Sequence, residues 1–108
     1  MHLKINSARP GTAIVMARGE IDMMTAPIFG DALGAVCRTA PSHLIVDLSD
    51  VEFVSLSGIT ALLELERHCR DATVDLSVVA SPVVRHILEV LDLDKWFLVT
   101  GNTHCSVA

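Results

Sequence analysis

Aromatic residues are scarce in this sequence: they make up 4% of its 108 residues, although 51% of the residues are hydrophobic. The core must therefore be aliphatic, built from Val, Ile, Leu and Ala, which suits a buried parallel sheet covered by helices. A chain of this length corresponds to one domain and can bury roughly two-thirds of its unfolded surface. We expect residues 1–108 to form a single domain, with a frayed tail from about Gly101.

Basic residues are also few. Eight Lys and Arg stand against thirteen Asp and Glu, which gives a formal net charge of -5. Binding nucleic-acid phosphates requires clustered Lys and Arg, so no nucleic-acid surface is expected. No apolar run approaches the ~18 residues of a membrane span, and the N-terminus has no signal-like apolar region. The sequence therefore predicts a cytoplasmic protein without membrane insertion.

Motifs for catalysis, metal binding and phosphate binding are missing. The five histidines are scattered, no CxxC or HxxxH pattern exists, and neither GxGxxG nor a Walker sequence is present. Cys37, Cys69 and Cys105 form an odd, widely spaced set, which fits reduced thiols better than a disulfide framework. We expect no enzyme activity, no cofactor and no metal.

Turn signals and hydrophobic periodicity predict the element order β-β-α-β-α-β-α, with room for a final strand. A hairpin turns at Pro10-Gly11, and the first helix runs from about Ala26 to Arg38 with Thr25 as its cap. The central strand covers Leu44 to Leu48. This order implies a mostly parallel sheet with right-handed crossovers and one antiparallel edge.

The C-terminal half repeats the alternation of strand and helix. A second helix is predicted to start near Ser57, and a strand follows at Leu76 to Val79. A third helix opens at Ser81-Pro82 and carries a periodic apolar stripe formed by Val84, Ile87, Leu88 and Leu91. A short turn and an edge strand are expected at Trp96 to Val99.

The connection after the central strand is the best place to look for a site, because open α/β sheets carry their sites at the carboxyl ends of strands. In this sequence the connection reads Ser55-Leu56-Ser57-Gly58. Ser57 is predicted to cap the second helix, with its hydroxyl accepting a backbone N–H bond.

Three segments in this order resemble the STAS domain, the fold of bacterial anti-sigma factor antagonists, from about Leu3 to Leu98. They are Gly19-Glu20-Ile21-Asp22 with Thr25-Ala26-Pro27, then Leu44 to Ser49 leading to Phe53 to Ile59, and last Ser77 to Pro82 through Val84 and Leu91. The resemblance implies a STAS-like α/β domain with a mostly parallel sheet of four to five strands, an antiparallel edge and three to four helices.

The resemblance also implies a function. It indicates a regulator that docks an anti-sigma factor, usually a GHKL-type serine kinase, and so releases a sigma factor for transcription. The partner-binding residues are then expected around the connection: Glu20, Asp22, Ser55, Leu56, Ser57, Gly58, Thr60 and Glu64.

One departure from the family pattern bears on regulation. The family loop typically reads Asp-Ser-Ser-Gly, and its first serine is the phosphoacceptor, a position that Leu56 occupies here. The usual phosphoswitch cannot operate unchanged, which leaves Ser57 and Ser55 as the candidate phosphorylation sites. Two alternatives stay open: a constitutive STAS subunit of a lipid-transport ATP-binding-cassette complex or signalling scaffold, and a binder of nucleotides or other small ligands.

Overall fold

The computed structural model describes residues 1–101 and has the predicted element order. Of the frayed tail predicted from about Gly101, residues 102–108 with Cys105 lie outside the described residues, whereas Gly101 ends the last strand. The elements are β1 (His2–Arg9), β2 (Thr12–Ile21), α1 (Ala26–Arg38), β3 (His43–Val54), α2 (Leu56–Asp71), β4 (Asp75–Ala80), α3 (Pro82–Val90), a 3-10 turn (Asp94–Trp96) and β5 (Leu98–Gly101).

The five strands form one sheet in the order β1-β2-β3-β4-β5. Strands β1 and β2 are antiparallel, whereas each following pair is parallel. Gly11 has a φ of +82° at the hairpin between β1 and β2, a conformation that glycine adopts without steric cost. The prediction of a mostly parallel sheet with one antiparallel edge is confirmed.

Strand β3 is longer than the predicted stretch from Leu44 to Leu48. Its pairing with β4 ends at Leu48, but its pairing with β2 continues to Val54. In this last part of β3, Val51 and Val54 are buried while Glu52 and Phe53 are exposed. The apolar run therefore ends before the strand does, because this part of the strand is only half buried.

The core is aliphatic, as the composition predicted, with Phe29 as a fully buried aromatic side chain. Val15, Val46 and Val78 are paired across β2, β3 and β4 and are completely buried. The helices cover this sheet with Phe29 and Leu33 from α1, Ile59 and Leu62 from α2, and Val84 and Leu88 from α3.

Helices α1 and α3 begin where the sequence predicted. Ser81 caps α3, since its hydroxyl accepts the Val84 N–H at 3.3 Å. Thr25 occupies the N-cap position of α1, but its hydroxyl accepts the N–H of Asp22 at 2.9 Å and caps no N–H of the helix. None of the helices among residues 1–101 is both long and apolar enough to cross a bilayer.

Candidate functional site

The N-cap of helix α2 lies two residues before the predicted one. Its N-cap is Ser55, which has an extended backbone and whose hydroxyl accepts the Gly58 N–H at 3.3 Å. The prediction that Ser57 caps the helix was wrong. Because β3 extends to Val54, the change from extended to helical backbone falls at Ser55, and Ser57 already lies within the helix.

Gly58 lets the start of α2 sit close to the sheet. A Cβ added at Gly58 would lie 2.7 Å from Val54 Cγ2 and 2.9 Å from Ile21 Cγ2, well inside van der Waals contact. Gly58 is itself buried. Gly58 was expected to bind a partner. Because it is buried, it sets the position of the helix beneath the surface that a partner would meet.

Leu56 projects into solvent at the first position of α2, with 71% of its surface exposed. Around it lie other exposed apolar side chains from three further parts of the fold. We call this set the apolar patch, and it consists of Met23, Phe53, Leu56, Val90 and Leu91. Burial of a large apolar side chain contributes about 1.5–3 kcal/mol, so exposing several side by side is unfavourable unless another surface covers them.

Four members of the apolar patch were missed by sequence reasoning. Leu91 was assigned to the buried stripe of α3, but it follows the last residue of that helix and is 41% exposed. Met23 lies in the connection before α1, and Phe53 points away from the core near the end of β3. For the other three residues the available signal was an apolar residue at a position that neither the helical nor the strand period assigns to the core, whereas Leu91 lies on the helical period and gave no such signal.

Ser57, Thr60 and Glu64 lie on a second surface, a groove of about 490 Å³ between α1 and α2. All three side chains are exposed. The Thr60 hydroxyl donates to the Leu56 carbonyl at 3.0 Å, which holds it against its own helix. Met23 belongs to both the groove and the apolar patch, and Ser57 lines the groove and borders the patch, so the two surfaces meet at the start of α2.

The predicted acidic residues Glu20 and Asp22 play different parts. Glu20 is exposed near the end of β2, and its Cα is paired with that of Phe53. The Asp22 carboxylate accepts the N–H groups of Met24 at 3.0 Å and Thr25 at 2.9 Å, and the Thr25 hydroxyl at 3.0 Å. The bonds from Thr25, followed by that from Met24, lower the pKa of Asp22. Asp22 therefore shapes the turn into α1.

Side chains that could bind a metal ion lie apart in the part of the chain that the structure describes. No cluster of three or more His, Cys, Asp or Glu residues there could hold a metal ion. Asp50 and Glu52 are exposed within β3. The chemistry that this end of the sheet offers is apolar contact through the patch, with exposed hydroxyls and carboxylates beside it.

Comparison with known proteins finds both a matching family model and a curated relative. A family model described as "Mlab, STAS domain" matches residues 6–100. The anti-sigma-F factor antagonist RsfB of Mycobacterium tuberculosis is 31% identical over 94 residues, which cover 87% of this chain and 77% of RsfB.

Solved structures with the same fold include proteins of more than one kind. An anti-sigma factor antagonist from Mycobacterium paratuberculosis has a TM-score of 0.84 and 34% identity, and the match covers 94% of this chain and 86% of the antagonist's chain. A sulfate transporter family protein from Wolinella succinogenes has a TM-score of 0.69 and 19% identity, and the match covers 83% of this chain and 74% of the transporter chain. The second likeness shows the fold alone, so the function must be argued from the site.

Proposed function

The chain belongs to the STAS domain family, and we propose that it acts there as an anti-sigma factor antagonist, a binding protein without catalysis. Its relatives at 31% and 34% identity carry that description. In this role it docks a cytoplasmic anti-sigma factor of the GHKL kinase type and thereby releases a sigma factor. The observation that carries the proposal is the exposed Leu56 within the apolar patch, at the carboxyl end of the central strand.

The apolar patch supplies the binding energy in this proposal. Binding hot spots are large side chains near the centre of an interface, surrounded by contacts that exclude water. Leu56 fits this description, since Phe53 and Met23 line the same hollow as Val90 and Leu91 of the α3 end. Exposed Glu20, Glu52 and Glu64 carry negative charge, which favours a partner with an apolar contact surface and basic residues around it.

Of the two candidate hydroxyls for phosphorylation, the geometry favours Ser57. The Ser55 hydroxyl is half-buried and engaged in the cap, whereas Ser57 is exposed and borders both the groove and the apolar patch. A phosphate at Ser57 would lie at the N-terminus of α2, where the helix dipole stabilises negative charge by about 0.3–1 kcal/mol. The domain would stay folded, and the added charge beside Leu56 would weaken docking.

The test is a binding titration with a purified GHKL-type anti-sigma factor from the same organism. We expect Leu56→Asp to bind roughly 30-fold more weakly, which corresponds to a hot-spot loss of about 2 kcal/mol. Ile5→Asp is the matched control, because Ile5 is 54% exposed in the middle of β1 and does not line the apolar patch. The control should bind like the wild type, and both variants should unfold at similar temperatures.

Equal affinity of Leu56→Asp and Ile5→Asp would contradict the docking role of Leu56. Adding ATP to the same mixture tests the switch: mass spectrometry should find a phosphoryl group that is lost in Ser57→Ala. Retention of the phosphoryl group in Ser57→Ala would refute that assignment.

A second candidate role is a constitutive subunit of a lipid-transport ATP-binding-cassette complex. It is favoured by Leu56 itself, which has no hydroxyl and presents an apolar contact that phosphorylation cannot remove. Neighbouring genes for transporter subunits, together with direct binding to the purified ATP-binding subunit, would select this role. Failure of that binding, with binding to the anti-sigma factor, would exclude it.

A further inference from the structure

Cys37 and Cys69 lie in the last turns of α1 and α2, with their Sγ atoms 3.9 Å apart. Both thiols are free in this structure. We propose that the pair is a reversible modification site, at which hydrogen peroxide joins α1 to α2 through a Cys37–Cys69 disulfide. This site is independent of the docking role proposed above.

The distance between the two sulfur atoms makes the crosslink geometrically accessible. A disulfide bond is about 2.05 Å long, so the sulfur atoms must approach by roughly 2 Å. Rotation of the two side chains about their Cα–Cβ bonds moves sulfur atoms over such distances. The two helices pack against each other along the groove, so the backbone already holds both residues close together.

The two thiols differ in their access to solvent, which sets the order of reaction. Cys37 is 7% exposed and lines a surface hollow with His68 and Asp71. Cys69 is 1% exposed and does not line that hollow. Peroxide therefore reaches Cys37 first, and Cys69 acts as the resolving thiol.

The reaction balances in two steps. The Cys37 thiolate attacks one peroxide oxygen, the O–O bond breaks, and the departing hydroxide takes up a proton, leaving a sulfenic acid on Cys37. The Cys69 sulfur then attacks the Cys37 sulfur, the S–O bond breaks, and the hydroxide leaves as water with the proton of Cys69. In total, two thiols lose two electrons and two protons to hydrogen peroxide, which yields a disulfide and two water molecules.

Electrostatics support the same order. Burial, followed by the neighbouring Cys37 and Glu66, raises the pKa of Cys69 to about 12. Cys69 therefore remains a neutral thiol and is a poor first nucleophile.

The test is peroxide treatment of the folded full-length chain, followed by alkylation of the remaining thiols and tryptic mapping. Tryptic cleavage leaves each cysteine in a different peptide: Cys37 in residues 19–38, Cys69 in His68-Cys69-Arg70, and Cys105 in residues 96–108. We expect a peptide pair linking Cys37 to Cys69 that dithiothreitol separates. Because the pair is held together within one molecule, this link should form at least about tenfold faster than any link to Cys105.

Two variants provide the controls. Cys69→Ser should accumulate a sulfenic acid on Cys37 that dimedone traps, whereas Cys37→Ser should leave Cys69 alkylatable after the same treatment. Cys105→Ser should form the crosslink as the wild type does. The proposal is overturned if Cys37 and Cys69 both stay alkylatable in the wild type while Cys105 is oxidised, or if Cys105 is their main partner.

Discussion

Adding a single methyl group at Gly58 should destabilise the domain, although the same change normally stabilises a helix. The Cβ of Gly58→Ala would lie 2.7 Å from Val54 Cγ2 and 2.9 Å from Ile21 Cγ2. Both neighbours are buried β-branched residues at the ends of β3 and β2, so neither can move without disturbing the core. Overpacking of this kind costs about 1–3 kcal/mol.

The gain in helix propensity offsets part of this cost. Replacing a glycine inside a helix by alanine contributes about 0.5–1 kcal/mol, so we expect a net loss near ~1–2 kcal/mol. Gly30→Ala in α1 is the matched control, because its Cβ would meet Ala61 Cβ at 3.5 Å, an ordinary contact. That variant should be more stable than the wild type by about 0.5–1 kcal/mol.

Urea unfolding followed by circular dichroism measures both free energies of unfolding. In thermal unfolding, the two variants should shift the midpoint in opposite directions, by roughly 4–8 °C for each kcal/mol. A Gly58→Ala variant at least as stable as the wild type would refute the reasoning, since it would mean that α2 can move away from Val54 and Ile21 at no cost.

Three further substitutions test the N-terminal ends of α2 and α1. Ser55→Ala should lower the free energy of unfolding by about 0.5–2 kcal/mol, whereas Ser57→Ala should change it by less than ~0.5 kcal/mol; the reverse ranking would restore Ser57 as the cap. In the folded state Asp22 has a pKa below its ordinary value of 3.8. Its carboxylate therefore stabilises the fold at pH values above 3.8, and this stabilisation is lost as the pH falls through the lowered pKa. Asp22→Asn should therefore be less stable than the wild type near neutral pH, and the difference between their urea midpoints should become smaller in acid. A difference that does not change with pH would contradict this.

The fold was predictable because most of its signals are local. Pro10-Gly11 marks the hairpin, Ser81-Pro82 opens α3, and the periodic apolar residues of α1 gave the bounds Ala26 to Arg38 that the structure shows. The end of β3 was not predictable in this way, since the polar residues Ser49, Asp50 and Glu52 interrupt its apolar run. The error in the strand end moved the predicted cap of α2 from Ser55 to Ser57.

Only the part of the candidate site whose residues are neighbours in the sequence could be predicted. Leu56 and its neighbours were identified because they follow the central strand directly. Val90 and Leu91 were not, because their approach to Leu56 depends on how α3 packs over the sheet. No spacing in a single sequence encodes that approach, and the same holds for the contact between Cys37 and Cys69.

The apolar patch is built from the outward-facing residues of elements whose inward-facing residues form the core. Leu56 is exposed, while Ile59 and Leu62 of the same helix are buried; Val90 is exposed, while Val84 and Leu88 of its helix are buried. In the proposed docking role, substitutions on the patch can therefore alter which protein is recognised at little cost to folding. Because the exposed and the buried faces of each helix have separate roles, evolution can adapt one scaffold to new partners, residue by residue, while the core stays unchanged.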